Sequence, residues 1–86
     1  MANTRQTRKR ARQNETQRQH NAALRSRMRT FIKSVERAIR AGDKETAQSA
    51  YQAAVPIIDK TANKGVIHRN KAARHKSRLN ERLRAM

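Results

Sequence analysis

The chain has 86 residues, enough for one small domain, and its 22 Lys and Arg against 6 Asp and Glu leave a net charge of +16. It has no cysteine, which excludes a disulfide framework and a thiolate metal site. It also has no apolar run long enough to span a bilayer or to form the core of a signal peptide. Self-repulsion at this charge density opposes compaction and is relieved by an anionic partner, with nucleic acid the leading candidate and an anionic membrane surface the second.

From residue 1 to residue 19 the only apolar side chains are Met1, Ala2 and Ala11, while Arg5, Arg8, Lys9, Arg10, Arg12 and Arg18 supply charge. A single acid, Glu15, falls in the first 20 residues. Such a segment has no apolar area to bury, so it is expected to be frayed when free. Without Gly or Pro it remains able to continue the following helix once its charges are neutralised. Its composition mimics a transit peptide, yet the same charge pattern runs on into sequence with clear helical periodicity, so a soluble cytoplasmic protein is expected. Residues 1–23 read as a basic nucleic-acid-binding arm.

From Leu24 the apolar residues recur at helical spacing: Leu24, Met28, Phe31, Ile32, Val35, Ala38 and Ile39 share one arc. Arg18, Arg25, Arg29, Lys33 and Arg40 line a different side. The predicted helix spans 24–41, ended by Gly42 in a left-handed conformation. Asp43 is placed to cap the next helix, predicted over 44–63, with Glu45 favourable in its first turn. Ala47, Ala50, Tyr51, Ala54, Ile57, Ile58 and Ala62 form its apolar face. Pro56 removes one amide donor and is expected to kink the helix near Ala53 without breaking it, because the apolar period passes through unshifted. Gly65 reads as the residue that closes this element.

The third predicted helix, 67–85, sets Ala72, Leu79, Leu83 and Met86 about 100° away from Lys71, Arg74, Arg78 and Arg82. His68, four residues before Ala72, falls on the packing face of that wheel, and His75 borders both faces. Residues 1–41 carry twelve bases and two acids, 42–65 three of each, and 66–86 seven bases and one acid. The neutral middle helix therefore has little to offer a polyanion and is expected at the back, supporting the other two. Short connections between helices of about 30 Å favour antiparallel neighbours, giving an all-α three-helix bundle over 24–86. The elongated first helix is expected to project about another 30 Å beyond it.

Several chemistries find no support. Phe31 and Tyr51 are the only aromatics and both sit in apolar arcs, so stacking on single-stranded bases is not expected. The three histidines lack clustered carboxylates, which argues against a zinc site. No nucleophile–base pair, phosphate-cradling glycine loop or paired carboxylates occur, so neither an enzyme nor a cofactor site nor a small-molecule substrate is expected.

The stretch Lys64-Gly65-Val66-Ile67-His68-Arg69-Asn70-Lys71-Ala72-Ala73-Arg74, followed by Lys76-Ser77-Arg78-Leu79, resembles the protein 20 family of the bacterial small ribosomal subunit. Met1-Ala2-Asn3, Arg12-Gln13-Asn14-Glu15 and Arg25-Ser26-Arg27-Met28-Arg29-Thr30 carry the same resemblance, which spans the whole chain. It implies a three-helix bundle with a long first helix, monomeric within the ribosome and bound directly to 16S rRNA. It further implies contacts with the 5′ domain and the long penultimate rRNA helix, and entry during subunit assembly.

A-form RNA offers phosphates, 2′-hydroxyls and shape rather than readable major-groove edges, a target suited to cationic helix faces. Arginine pairs bidentately with phosphate oxygens. The expected contact set is Arg8, Lys9, Arg10, Arg12, Arg18, Arg25, Arg29 and Lys33 with Arg69, Lys71, Arg74 and Arg78. Asn14, Asn21, Asn70 and Ser77 are placed to add neutral hydrogen bonds, and His68 to tie the helix start to RNA or to neighbouring backbone. Charge alone equally supports a histone-like protein that compacts DNA. A membrane-surface amphipathic peptide fits less well, because the apolar faces are alanine-rich and tryptophan is absent.

Overall fold

Two glycines and the residues beside them divide the chain into three helices, seen in a computed structural model that describes residues 4–86. The helices are α1 (Thr4–Arg40), α2 (Lys44–Asn63) and α3 (Arg69–Arg84). The Met1-Ala2-Asn3 start, and with it the tip of the expected arm, lies outside the described residues. Gly42 and Gly65 both take positive φ, 74° and 76°, a region that costs an L side chain but not glycine. Each closes its helix with the same paired bonds. Gly42 N–H donates to the Ile39 carbonyl and Asp43 N–H to that of Ala38, at 3.0 and 3.2 Å. Gly65 N–H donates to Ala62 and Val66 N–H to Thr61, at 2.9 and 3.1 Å.

Asp43 serves both helices. Its amide finishes α1, and its carboxylate accepts from the Thr46 amide at 3.1 Å and the Thr46 hydroxyl at 2.6 Å to start α2. The hydroxyl bond, then the amide bond, hold its carboxyl below the ordinary carboxylate range. α2 runs unbroken through Pro56. Pro56 and Gln52, whose carbonyl loses its helical donor, are both exposed, so water can satisfy that carbonyl.

α3 begins at Arg69, two residues later than expected, because His68 is its N-cap with φ −73° and ψ 146°. The imidazole Nδ1 accepts from the Asn70 amide at 3.1 Å. His68 is consequently exposed, not on the packing face. A helical wheel does not apply to a residue whose backbone is extended. Ile67, just before it, is buried in the core instead.

The core sits where the three apolar arcs meet: Met28 and Val35 from α1, Ala54 and Ile58 from α2, Ile67, and Ala72 and Leu79 from α3. A smaller cluster of Ala38, Ala47 and Leu83 lies beside it. Tyr51 is half-buried on this core and its hydroxyl donates to the Lys76 carbonyl at 3.2 Å. The Lys76 ammonium reaches Asp59 at 2.7 Å, so α3 is clasped to α2 through both the backbone and the side chain of one residue. Phe31 is also half-buried against the core, with the Arg27 guanidinium 6.0 Å from its ring centre.

The second half of α1 alone belongs to this bundle. Residues 4–20 are all exposed, and 37 residues of α-helix extend about 55 Å. The Cα radius of gyration is 17.6 Å and the extents are 63 × 21 × 15 Å, where a compact chain of this length would have a radius near 12 Å. Helix continues back to Thr4 because nothing stops it. Arg, Gln, Ala and Lys are good helix formers, and Glu15 bonds to Arg18 and Gln19 along the exposed face.

Candidate nucleic-acid interface

α2 packs extensively on α1 and supports α3 from the other side, whereas α1 and α3 meet only sparingly. This follows from charge: α1 and α3 are strongly cationic, and the neutral helix between them lets their apolar sides share a core without bringing their basic sides into contact. The result is a groove of about 240 Å³ along the α1–α3 seam. Arg25, Arg29 and Lys33 rim it from α1, Lys71 and His75 from α3, and Met28, Ile32 and Ile67 lie beneath. Glu36 closes one end, with its carboxylate 3.7 Å from the Arg82 guanidinium.

Four of the sequence-derived residues thus converge on one feature: Arg25, Arg29, Lys33 and Lys71. Arg74 and Arg78 are exposed one and two turns further along α3, close enough to repel a proton on His75. Partial burial lowers the His75 pKa most, the charges of Lys71, Arg78 and Arg74 lower it further, and Glu36 partly opposes them. Arg69 and Asn70 are exposed at the start of α3, where Arg69 and His68 border a shallow recess with Val66 and Ile67. Ser77 is exposed on α3.

The remaining residues of the set lie on the projecting half of α1. Arg8, Lys9, Arg10, Arg12 and Asn14 are exposed and distributed around the helix rather than gathered on one stripe. Asn21 is half-buried at the junction with the bundle and accepts from Gln17 at 3.3 Å. Arg18 is exposed but engaged: its Nε and Nη2 donate to the two Glu15 carboxylate oxygens at 3.0 and 2.6 Å. This bidentate pair holds the Glu15 carboxyl below its ordinary range.

Two features escaped the sequence. His75 lines the groove, although nothing in the wheel separates a border residue that faces the seam from one that faces away. Arg82, grouped with the free cations of α3, pairs across the seam with Glu36. Among the described residues no group of three His, Cys, Asp or Glu is placed to hold a metal ion. No helix among them is long and apolar enough to cross a membrane.

Comparison with known proteins gives a consistent result. The family model for ribosomal protein S20 matches residues 2–84. The small ribosomal subunit protein bS20 of Thioalkalivibrio sulfidiphilus is 67% identical over 86 residues, covering 100% of both chains. Its counterparts in Cellvibrio japonicus and Saccharophagus degradans are 62% and 59% identical, each covering 100% of this chain and 98% of the relative.

Proposed function

The chain belongs to the ribosomal protein S20 family, and from that premise we propose that it is a non-enzymatic constituent of the small ribosomal subunit that binds 16S rRNA through its basic helix faces and aids subunit assembly. The carrying observation is the seam at which Arg25, Arg29 and Lys33 of α1 face Lys71 of α3 across one groove. A single cationic helix is a generic polyanion binder. Two such helices held at fixed separation by a neutral third present charge in a pattern that matches a folded RNA better than a uniform duplex.

Within this reading residues 1–23 act as an arm and 24–86 as the docking body. The body uses Arg25, Arg29, Lys33, Lys71, Arg74 and Arg78, with Arg69, Asn70, Ser77 and the free Nε2 edge of His68 beside them. The arm brings Arg8, Lys9, Arg10, Arg12, Asn14, Arg18 and Asn21, with Arg18 exchanging Glu15 for a phosphate. The 5′ domain and the penultimate helix of 16S rRNA are the proposed targets, bound by one copy of the chain per subunit.

The test is equilibrium binding of the full chain to 16S rRNA over a range of salt. Arg29→Glu, Lys71→Glu and Arg74→Glu should each lower affinity about tenfold or more and flatten the salt slope by about one unit per lost phosphate contact. Their urea midpoints should stay near that of the parent, and Lys60→Glu on α2 should change neither quantity. Equal loss in Lys60→Glu, or equal affinity for duplex DNA at physiological salt, would overturn the reading. Hydroxyl-radical footprints outside the two named regions would remove the regional assignment alone.

A further inference from the structure

The seam groove is not built like a phosphate site. Its rim is cationic, but its floor is apolar: Met28 and Ile67 are 3% and 9% exposed and Ile32 is half-buried beside them. Its far end carries a carboxylate, Glu36, which would repel a phosphate. His75 beside it is held toward its neutral form by burial and by its cationic neighbours, so it offers one donor and one acceptor instead of a second charge. Cations outside, an apolar slot within and hydrogen-bonding groups at the end match the parts of a nucleotide in order: phosphate, flat ring and polar ring edge.

We propose that this groove receives one unpaired nucleobase of the bound RNA. The base lies over Ile32 and Met28, its flanking phosphates sit against Arg29 and Lys71, and its amino-bearing edge points toward Glu36. The inference rests on the RNA-binding reading and deepens it. Size supports this occupant over a peptide. At about 240 Å³ the groove falls below the roughly 300–1,000 Å³ that holds a drug-sized ligand, and a partner helix 10–12 Å across needs far more room. Bases splayed out of RNA loops and bulges are the ordinary handle for recognition of RNA by proteins. Here aliphatic side chains take the place of the missing aromatics, and Glu36 accepts from an exocyclic amine, the role carboxylates have toward cytosine N4. Adenine, cytosine and guanine carry such an amine and uracil does not, so an amine-bearing base is the expected occupant.

The experiment pairs affinity with base-by-base chemical probing of full-length 16S rRNA bound to the full chain. Ile32→Trp, at a half-exposed position with room outward, fills the slot and leaves every rim cation in place. It should weaken binding about tenfold, comparable to losing one good base contact, with an unchanged salt slope. One base edge protected by the parent should become reactive while backbone protection around it persists. Glu36→Met, which removes the acceptor oxygens at similar size, should restore reactivity at the same base, and Arg82→Gln should not, although both remove the Glu36–Arg82 ion pair. Circular dichroism and urea midpoints confirm that each variant is folded. Unchanged affinity and base reactivity in Ile32→Trp would overturn the proposal, as would equal effects of Glu36→Met and Arg82→Gln. A defect of Ile32→Trp confined to assembled subunits and absent on naked 16S rRNA would assign the slot to a protein and also overturn it. Failure of the parent to bind 16S rRNA at all would instead sink the RNA-binding reading, a distinct result.

Discussion

The two halves of α1 share one unbroken helix and obey different physics. Over residues 24–40 the helix presents Met28, Val35 and Ala38 to a core and is held by tertiary burial. Over residues 4–20 every residue is exposed, and the helix is held only by propensity and by local bonds such as Thr16 Oγ1 to the Arg12 carbonyl at 3.0 Å. Isolated helices with only local support are marginal in water. The first half can therefore be ordered by whatever it lies against, and the second half needs no partner to hold its form. Both halves are cationic, and only the second half has buried apolar area to set against its self-repulsion.

The difference can be attacked from the bundle side first. Leu79→Ala, at a 3% exposed core position, should cost about 2–5 kcal/mol, enough to unfold much of so small a domain. Urea titration should show the bundle transition shifted far toward zero denaturant, with amide exchange over residues 4–20 unaltered because it is already local. Protection of those amides falling in step with the bundle would mean the halves are one cooperative unit. From the other side, Gln13→Pro should remove about 3 kcal/mol of local helix stability. Helical circular dichroism should drop while the urea midpoint of the bundle stays put.

Smaller changes sharpen the boundary. Tyr51→Phe deletes the hydroxyl that reaches the Lys76 carbonyl, at a cost of about 1 kcal/mol. The loss should appear as faster exchange in α3 and none in the first half of α1. The pH dependence should be the mildest effect, carried in the bundle by Asp43 and His75 and in the projecting half by the depressed Glu15 carboxyl. The Asp43 carboxyl and the His75 imidazole are both depressed in the folded chain. Each contribution is thus fully present above the group's unfolded pKa and is lost as pH falls through the folded value. For His75 that loss begins below 6.5, and His75→Gln should flatten the decline in this window. For Asp43 it begins below 3.8, and Asp43→Asn should remove the acid limb.

Much of this could be seen in the residues. Gly42, Asp43 and Gly65 announced the breaks because left-handed backbone and a free N-terminal amide each select a narrow set of side chains, and those choices are visible without a structure. The apolar arcs of α1, α2 and α3 located the core for the same reason. The extension to Thr4 is only weakly written in the residues, since a helix with no buried face carries no period to detect. Arg82 and Lys76 were beyond reach for another reason. Their pairing with Glu36 and Asp59 depends on how far one helix is rotated against another, which no single-helix wheel contains. The groove itself is such a product: its rim residues belong to two separate helices, and only the spacing of α1 from α3 makes them neighbours.

The shared cap at Asp43 has a mechanical consequence. One residue closes α1 and opens α2 with no slack between them, so the joint behaves as a welded elbow rather than a hinge. Measured from that elbow, the tip of α1 stands about 55 Å away, and each degree of play there would move it by about 1 Å. A flexible turn of several residues would let the tip wander over a span wider than an RNA groove. The weld turns a row of cations into a pointer, whose aim is set at the far end of the same helix by one carboxylate and one glycine.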